Sequence, residues 1–245
     1  MRSPVRSDTD ICNHRYRLSY DHKRMRIAFF GGTFDPPHCG HLKIAEAAAA
    51  RLHLDRVLFA PVGQQPLKHD GPTAHFADRV AMVRLAIAPY PAFGLSTLDA
   101  PRPDGKPNYT IDTLLRLKAS LSADDEMFCL VGADSFLTLQ HWYRAVEILF
   151  VCNFIVAGRP GTHLDEISTA LPAGITLSGP PEISSEVVRF HLQNTRAQHS
   201  VLYLLPDLHE DISATRIRTA LAEGEQAGQV LPSSVADYIH QHGLY

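Results

Sequence analysis

The chain has 245 residues, 45% of them apolar, and a formal net charge of −3. That length can bury one core, or one core with an insertion, and the charge carries no basic excess of the kind that nucleic-acid binding draws on. Cys12, Cys39, Cys129 and Cys152 lie far apart without metal or redox spacing, which argues for a reducing cytoplasm over a disulfide framework.

Residues 1–24 are rich in Arg, Asp, His and Ser and lack an apolar segment, so they do not read as a secretory signal. They read as a poorly ordered extension, or as sequence upstream of a start at Met25. Residues 25–245 read as a single domain. Nowhere does an apolar run approach the roughly 20 residues of a membrane span.

The first expected strand, Arg26–Phe30, stops at Gly31-Gly32. His38 and His41 follow, and then an Ala-rich helix over Leu42–Leu52. Strand, glycine turn and helix start suit phosphate: glycine allows close backbone approach, and the amides opening a helix attract negative charge. Two imidazoles there add donors for charge developing on a phosphoryl group. A zinc reading of His38 and His41, with Cys39 between them, lacks neighbouring sequence that supplies the remaining ligands at familiar spacing.

Further strands are expected at Arg56–Ala60, Phe93–Leu98, Met127–Val131, Asn153–Ala157 and Val201–Leu205. Between them Phe76, Val80, Val83 and Ile87 share one helical face, with Asp78 and Arg79 read as a solvated face. His69, Asp70 and His75 read as neighbouring surface residues. Ile111, Leu114 and Leu115 mark a second helix, and Trp142–Phe150 a short third. Residues 158–200 carry turn signals at Gly158-Arg159-Pro160-Gly161, Leu171-Pro172-Ala173-Gly174 and Gly179-Pro180-Pro181, and read as an elaborated connection. Helices close the chain over Ser213–Glu223 and from Pro232 to about Gln241. Strands alternating with helices predict an α/β fold, a Rossmann-like, doubly wound and mostly parallel sheet with helices on both faces and a helical C-terminal segment. Ligands of such a sheet sit beyond the strand C-termini where strand order reverses.

Three other segments carry polar groups suited to the same ligand. Ile212-Ser213-Ala214-Thr215-Arg216-Ile217-Arg218 opens a helix with hydroxyls and a guanidinium: Ser213 as N-cap, Thr215 as a phosphate donor, Arg216 to grip two oxygens. Pro66-Leu67-Lys68 places a lysine after the second strand. Gly132-Ala133-Asp134-Ser135 ends the fourth, followed by Trp142-Tyr143.

Gly-Gly-Thr-Phe-Asp-Pro-x-His-x-Gly-His together with Ile-Ser-x-Thr-x-Ile-Arg resembles the nucleotidyltransferase superfamily. Within it the chain is most similar to the bacterial nicotinate-nucleotide adenylyltransferases. The narrower resemblance rests on Pro-x-Lys at 66–68, Asn108-Tyr109-Thr110, Gly132-Ala133-Asp134-Ser135, Trp142-Tyr143 and Gly158-Arg159-Pro160-Gly161, and it covers about residues 25–245. It implies transfer of AMP from ATP to nicotinate mononucleotide, with Mg²⁺ entering on ATP. It also implies that His38 and His41 contact the ATP phosphates, with Gly31, Gly32, Thr33 and Phe34 forming the loop beneath the nucleotide. Lys68 holds phosphate, and Ser213, Thr215 and Arg216 take the β/γ end. Asp134 belongs to the nucleotide segment, and Gly158 and Arg159 line the adenine pocket. The nicotinate ring lies against Trp142, beside Tyr143, with Tyr109, Thr110 and nearby amides at its carboxylate.

Lys68 also reads as surface charge, Trp142 as core, Tyr109-Thr110 as a helix start and Asp134 as a helix cap. Nicotinamide mononucleotide or another phosphorylated acceptor stays open as substrate, as does a non-catalytic nucleotide-binding regulator. A homo-oligomer is also left open.

Overall fold

The computed structural model describes residues 23–66, 71–158, 164–206, 208, 212–225 and 228–245, so the extension over 1–22 lies outside them. Among these residues one sheet contains β1 (Arg26–Gly32), β2 (Arg56–Pro61), β3 (Phe93–Leu95), β4 (Glu126–Gly132) and β5 (Asn153–Ala157). It continues with β6 (Ile175–Leu177), β7 (Glu182–Ile183), β8 (Val188–Asn194) and β9 (His199–Leu205). The order is β3-β2-β1-β4-β5-β9-β8-β6, with β7 on β8. From β3 to β9 all neighbours are parallel; β8 runs antiparallel to β9, β6 and β7. Strand order therefore reverses between β1 and β4, and a crevice opens there beyond the strand ends.

The helices are α1 (Cys39–Arg51), α2 (Phe76–Ile87), α3 (Thr110–Ser120), α4 (Ala133–Leu137), α5 (Ala145–Ile148), α6 (Leu164–Thr169), α7 (Ala214–Ala222) and α8 (Ser233–His242). Strand side chains alternate between the two faces, and the two cores follow from that period. Ala28 and Phe30 of β1, with Phe128 and Leu130 of β4, pack against α1, α2, α7 and α8. Phe29, Met127, Cys129 and Val131 pack against α3, α4, α5 and α6. The doubly wound, mostly parallel sheet expected from the sequence is the one present.

Three local expectations need correction. Trp142–Phe150 is not one helix. A short 3₁₀ turn over Leu139–His141 ends at Trp142, which is extended, and Arg144 then adopts a left-handed φ of 55° before α5. Arg144 is held there by Glu147 and Asp112, and the left-handed residue interrupts the helix. The stretch 158–200 holds regular structure, namely α6 and β6–β8. In β8 the alternation of Val188, Phe190 and Leu192 with Arg189, His191 and Gln193 puts every second side chain into the core.

The third correction concerns Arg79, read as solvated. It is wholly buried, donating from Nη1 to the Thr33 carbonyl at 2.7 Å and from Nε to the Ala74 carbonyl at 3.3 Å. Its neighbour Asp78 accepts from the Tyr238 hydroxyl, joining α2 to α8.

Candidate active site

A cavity of about 680 Å³ occupies the crevice between β1 and β4. Its phosphate-suited wall is local. β1 ends in Gly31-Gly32, the chain loops through Pro36-Pro37, and α1 begins after its N-cap His38. Gly31, Gly32, His38, Gly40 and His41 all line the cavity. The two imidazoles stack with centroids 3.7 Å apart.

The backbone fixes the tautomer of His41. The His38 N–H donates to His41 Nδ1 at 3.2 Å, so that nitrogen is an acceptor and the ring proton sits on Nε2. Phe34 is buried rather than part of the lining, and its ring meets His41 edge-on at 4.9 Å. It supports the imidazole from below. Thr33 likewise falls outside the lining, with its carbonyl engaged by Arg79 and its hydroxyl donating to Gln65.

His38 is neutral at physiological pH because burial lowers its pKa to about 4. Its Nδ1 is buried without a hydrogen-bond partner among the described residues. In the unfolded chain the same ring titrates near 6.5. Its contribution to stability is therefore complete above pH 6.5 and is lost as pH falls to about 4, by about 3 kcal/mol. Urea unfolding of the wild type and of His38→Asn between pH 7 and pH 4 should show the wild type losing more stability by that amount. Parallel curves would remove the buried neutral imidazole from the account.

The opposite wall is aromatic and polar. Tyr109 and Thr110 open α3 into the cavity; Tyr143 and half-buried Trp142 reach it from the segment after α4. The Tyr109 and Tyr143 rings lie 4.4 Å apart, and Trp142 Nε1 donates to Thr138 at 3.4 Å. Asp134 is exposed in the first turn of α4 and lines the cavity; Gly132, not Asp134, occupies the N-cap. Gly158 closes the far end, where an added Cβ would stand 3.0 Å from the Leu205 carbonyl.

Helix α7 begins two residues after Ile212, itself a lining residue. Ser213 is the N-cap, although its hydroxyl makes no capping bond. Thr215 and Arg216 are exposed on the first turn and are not among the lining residues. Lys68 and Arg159 lie outside the described residues.

Four polar residues were given no role of their own by the sequence reading. Asp99 is buried, lines the cavity, accepts from the Thr113 hydroxyl at 2.7 Å, and has its pKa raised by burial. Asn108 clamps the loop after β2: its side chain accepts from Gln64 N–H and donates to the Ala100 carbonyl. Asp35 and Arg218 meet behind the histidines, Arg218 Nη1 donating to the Asp35 carbonyl at 2.8 Å. Both belong to motifs already read, Asp35 within Gly-Gly-Thr-Phe-Asp-Pro and Arg218 as the terminal arginine of Ile-Ser-x-Thr-x-Ile-Arg. The spacing of the second motif itself singles out Arg218.

The cytidylyltransferase-like family model matches residues 29–220. A probable nicotinate-nucleotide adenylyltransferase of Geotalea daltonii is 37% identical over 224 residues, spanning 90% of this chain and 98% of its own length. A protein of the same description from Gloeobacter violaceus is 39% identical over 221 residues, spanning 90% and 96%. The solved structure of Plasmodium falciparum nicotinic acid mononucleotide adenylyltransferase complexed with NaAD aligns with a TM-score of 0.66 at 15% identity. That alignment covers 91% of this chain and 98% of the other, and at such identity it speaks for the fold. With its paired histidines at the sheet's switch point and curated relatives matched over nearly their whole length, the chain belongs to the cytidylyltransferase-like family, among the nicotinate-nucleotide adenylyltransferases.

Proposed function

We propose that the chain transfers AMP from ATP to nicotinate mononucleotide, releasing pyrophosphate and forming deamido-NAD, as its relatives' names describe. One observation carries this reading beyond the family resemblance: the histidine pair and the aromatic wall share a single cavity large enough for two nucleotides' reacting ends. The triphosphate lies at Gly31, Gly32, His38 and His41, with Ser213, Thr215 and Arg216 of α7 approaching its β/γ end. By resemblance Lys68 also holds phosphate. Adenine lies toward Gly158, with Asp134 beside the nucleotide; by resemblance Arg159 also serves adenine.

The chemistry follows from charge. The mononucleotide's 5′-phosphate oxygen is already anionic and attacks the α-phosphorus without a strong general base. A new P–O bond forms opposite the one that breaks, and pyrophosphate leaves with the electron pair. His41 donates from Nε2–H, and neutral His38 beside it adds a second donor, so developing negative charge meets preorganised partners. Mg²⁺ travels with ATP as part of the substrate; Asp99 and Asp134 are carboxylates lining the same cavity. Among the described residues Cys39, Cys129 and Cys152 form no disulfide, which suits a reducing cytoplasm, and no helix is long and apolar enough to cross a membrane.

Acceptor choice rests on α3. Its first turn, Thr110 and Ile111, faces the cavity, and amides at a helix start have no intrahelical acceptor. Such donors favour a ring carboxylate over a ring amide. At 1.5–3 kcal/mol for hydrogen bonds to a charged group, kcat/KM should favour nicotinate over nicotinamide mononucleotide by about 10–10²-fold. A preference for the nicotinamide form would overturn the substrate and leave the reaction type standing.

A further inference from the structure

Three stretches of chain that are distant in sequence converge on one aspartate in the loop that carries the histidines. Asp35 is 3% exposed, within the loop between β1 and α1. Its Oδ2 accepts from the Thr73 N–H at 2.7 Å and its Oδ1 from the Ala74 N–H at 3.1 Å, both just ahead of α2. Oδ1 also accepts from the Tyr245 hydroxyl at 2.6 Å, beyond α8. From α7, Arg218 Nη1 donates to the Asp35 carbonyl at 2.8 Å and stands 4.0 Å from Oδ2. Arg79 of α2 closes the arrangement by holding the Thr33 carbonyl, two residues earlier in the same loop.

This arrangement does more than fill space. His38 lies three residues after Asp35, and His41 six after it. Arg218 sits two residues beyond Arg216 on α7, whose N-cap Ser213 follows the lining residue Ile212. The loop bearing the imidazoles and the helix bearing Ser213, Thr215 and Arg216 are thus fastened to one another through Asp35. The apolar side of the joint is also shared, because Phe34 and Ile217 belong to one buried cluster.

We infer that Asp35 is a positioning residue that sets the separation between the histidine cradle and α7, and so governs how the enzyme holds the ATP triphosphate rather than the acceptor. The inference rests on the function proposed above. Burial and the bond to Asp35 both raise the Tyr245 pKa, which keeps its hydroxyl a donor at the joint. In-line transfer tolerates little error, since a misplacement of about 1 Å can cost about 10²-fold in rate.

Asp35→Asn retains the shape of the side chain but turns an amide N–H₂ toward backbone N–H donors. Expected is a fall of about 10–10²-fold in kcat/KM for ATP, with KM for nicotinate mononucleotide unchanged. Tyr245→Phe, which removes one hydroxyl only, should raise KM for ATP in the same direction by a smaller factor and leave the acceptor KM alone. ATP affinity measured by calorimetry, without acceptor, should weaken for both variants.

The inference is overturned if folded Asp35→Asn or Tyr245→Phe binds ATP like the wild type. It is also overturned if both substrates' KM values shift together in step with lost thermal stability. If Asp35→Asn does not fold, Tyr245→Phe decides by the same measures. A wild-type protein that binds ATP but does not act on nicotinate mononucleotide defeats the proposed function instead, and calorimetry still decides the role of Asp35.

Discussion

Replacing His41 with alanine should lower kcat by about 10²–10³ at saturating ATP, the cost of one preorganised donor aimed at developing charge. The size of the effect follows from how completely the ring is fixed. Its Nδ1 is occupied by the His38 N–H, its face stacks on His38, and its edge rests on buried Phe34. Little reorganisation is left to perform when the α-phosphorus is attacked. Because Nε2–H is made to stabilise the transition state, KM for ATP should change far less than kcat. Steady-state kinetics of His41→Ala measure both. A variant with near-normal turnover would take this imidazole out of the chemistry.

Arg79→Met should destabilise the fold by about 3–5 kcal/mol, the usual consequence of deleting one partner from a buried charged network. No part of Arg79 is exposed, and its guanidinium satisfies the Thr33 and Ala74 carbonyls while lying 5.4 Å from the Phe76 ring centroid. Methionine fills a similar volume but donates nothing, so both carbonyls lose this donor, that of Ala74 in a buried setting. For a domain of this size the loss corresponds to a fall of about 10 °C in Tm. Urea unfolding at neutral pH measures it directly. A loss under about 1 kcal/mol would mean the carbonyls find other donors.

These two residues also mark what could and could not be read along the chain. His41 was legible because everything that identifies it is local: a strand stopping at two glycines, imidazoles three apart, and a helix-forming run. Arg79 was not, since a charged residue next to Asp78 on an amphipathic helix ordinarily faces water. The Thr33 carbonyl, arriving from another loop, joins the Ala74 carbonyl in making its burial tolerable. The Tyr245 bond to Asp35 spans 210 positions, a distance over which composition and periodicity carry no information.

Arg144 is a different case. Nothing in an arginine announces a left-handed backbone, so the helix expected through Trp142–Phe150 is cut where its side chain pairs with Glu147 and Asp112. In β8 the period-two pattern was present in the letters, but the glycines and prolines before it read as one long connection. At the site, the phosphate wall was legible from its motif, whereas Asp99 and Asn108 sit in a loop without periodicity. Their roles emerge only when that loop meets the one after β2.

Pyrophosphate released on mixing the protein with Mg-ATP and nicotinate mononucleotide tests the central claim most directly. The account predicts release in one-to-one proportion with deamido-NAD, dependent on both substrates and slowed about 10²–10³-fold in His41→Ala. ATP binding with no pyrophosphate formed would contradict it and leave a nucleotide-binding protein without the transfer.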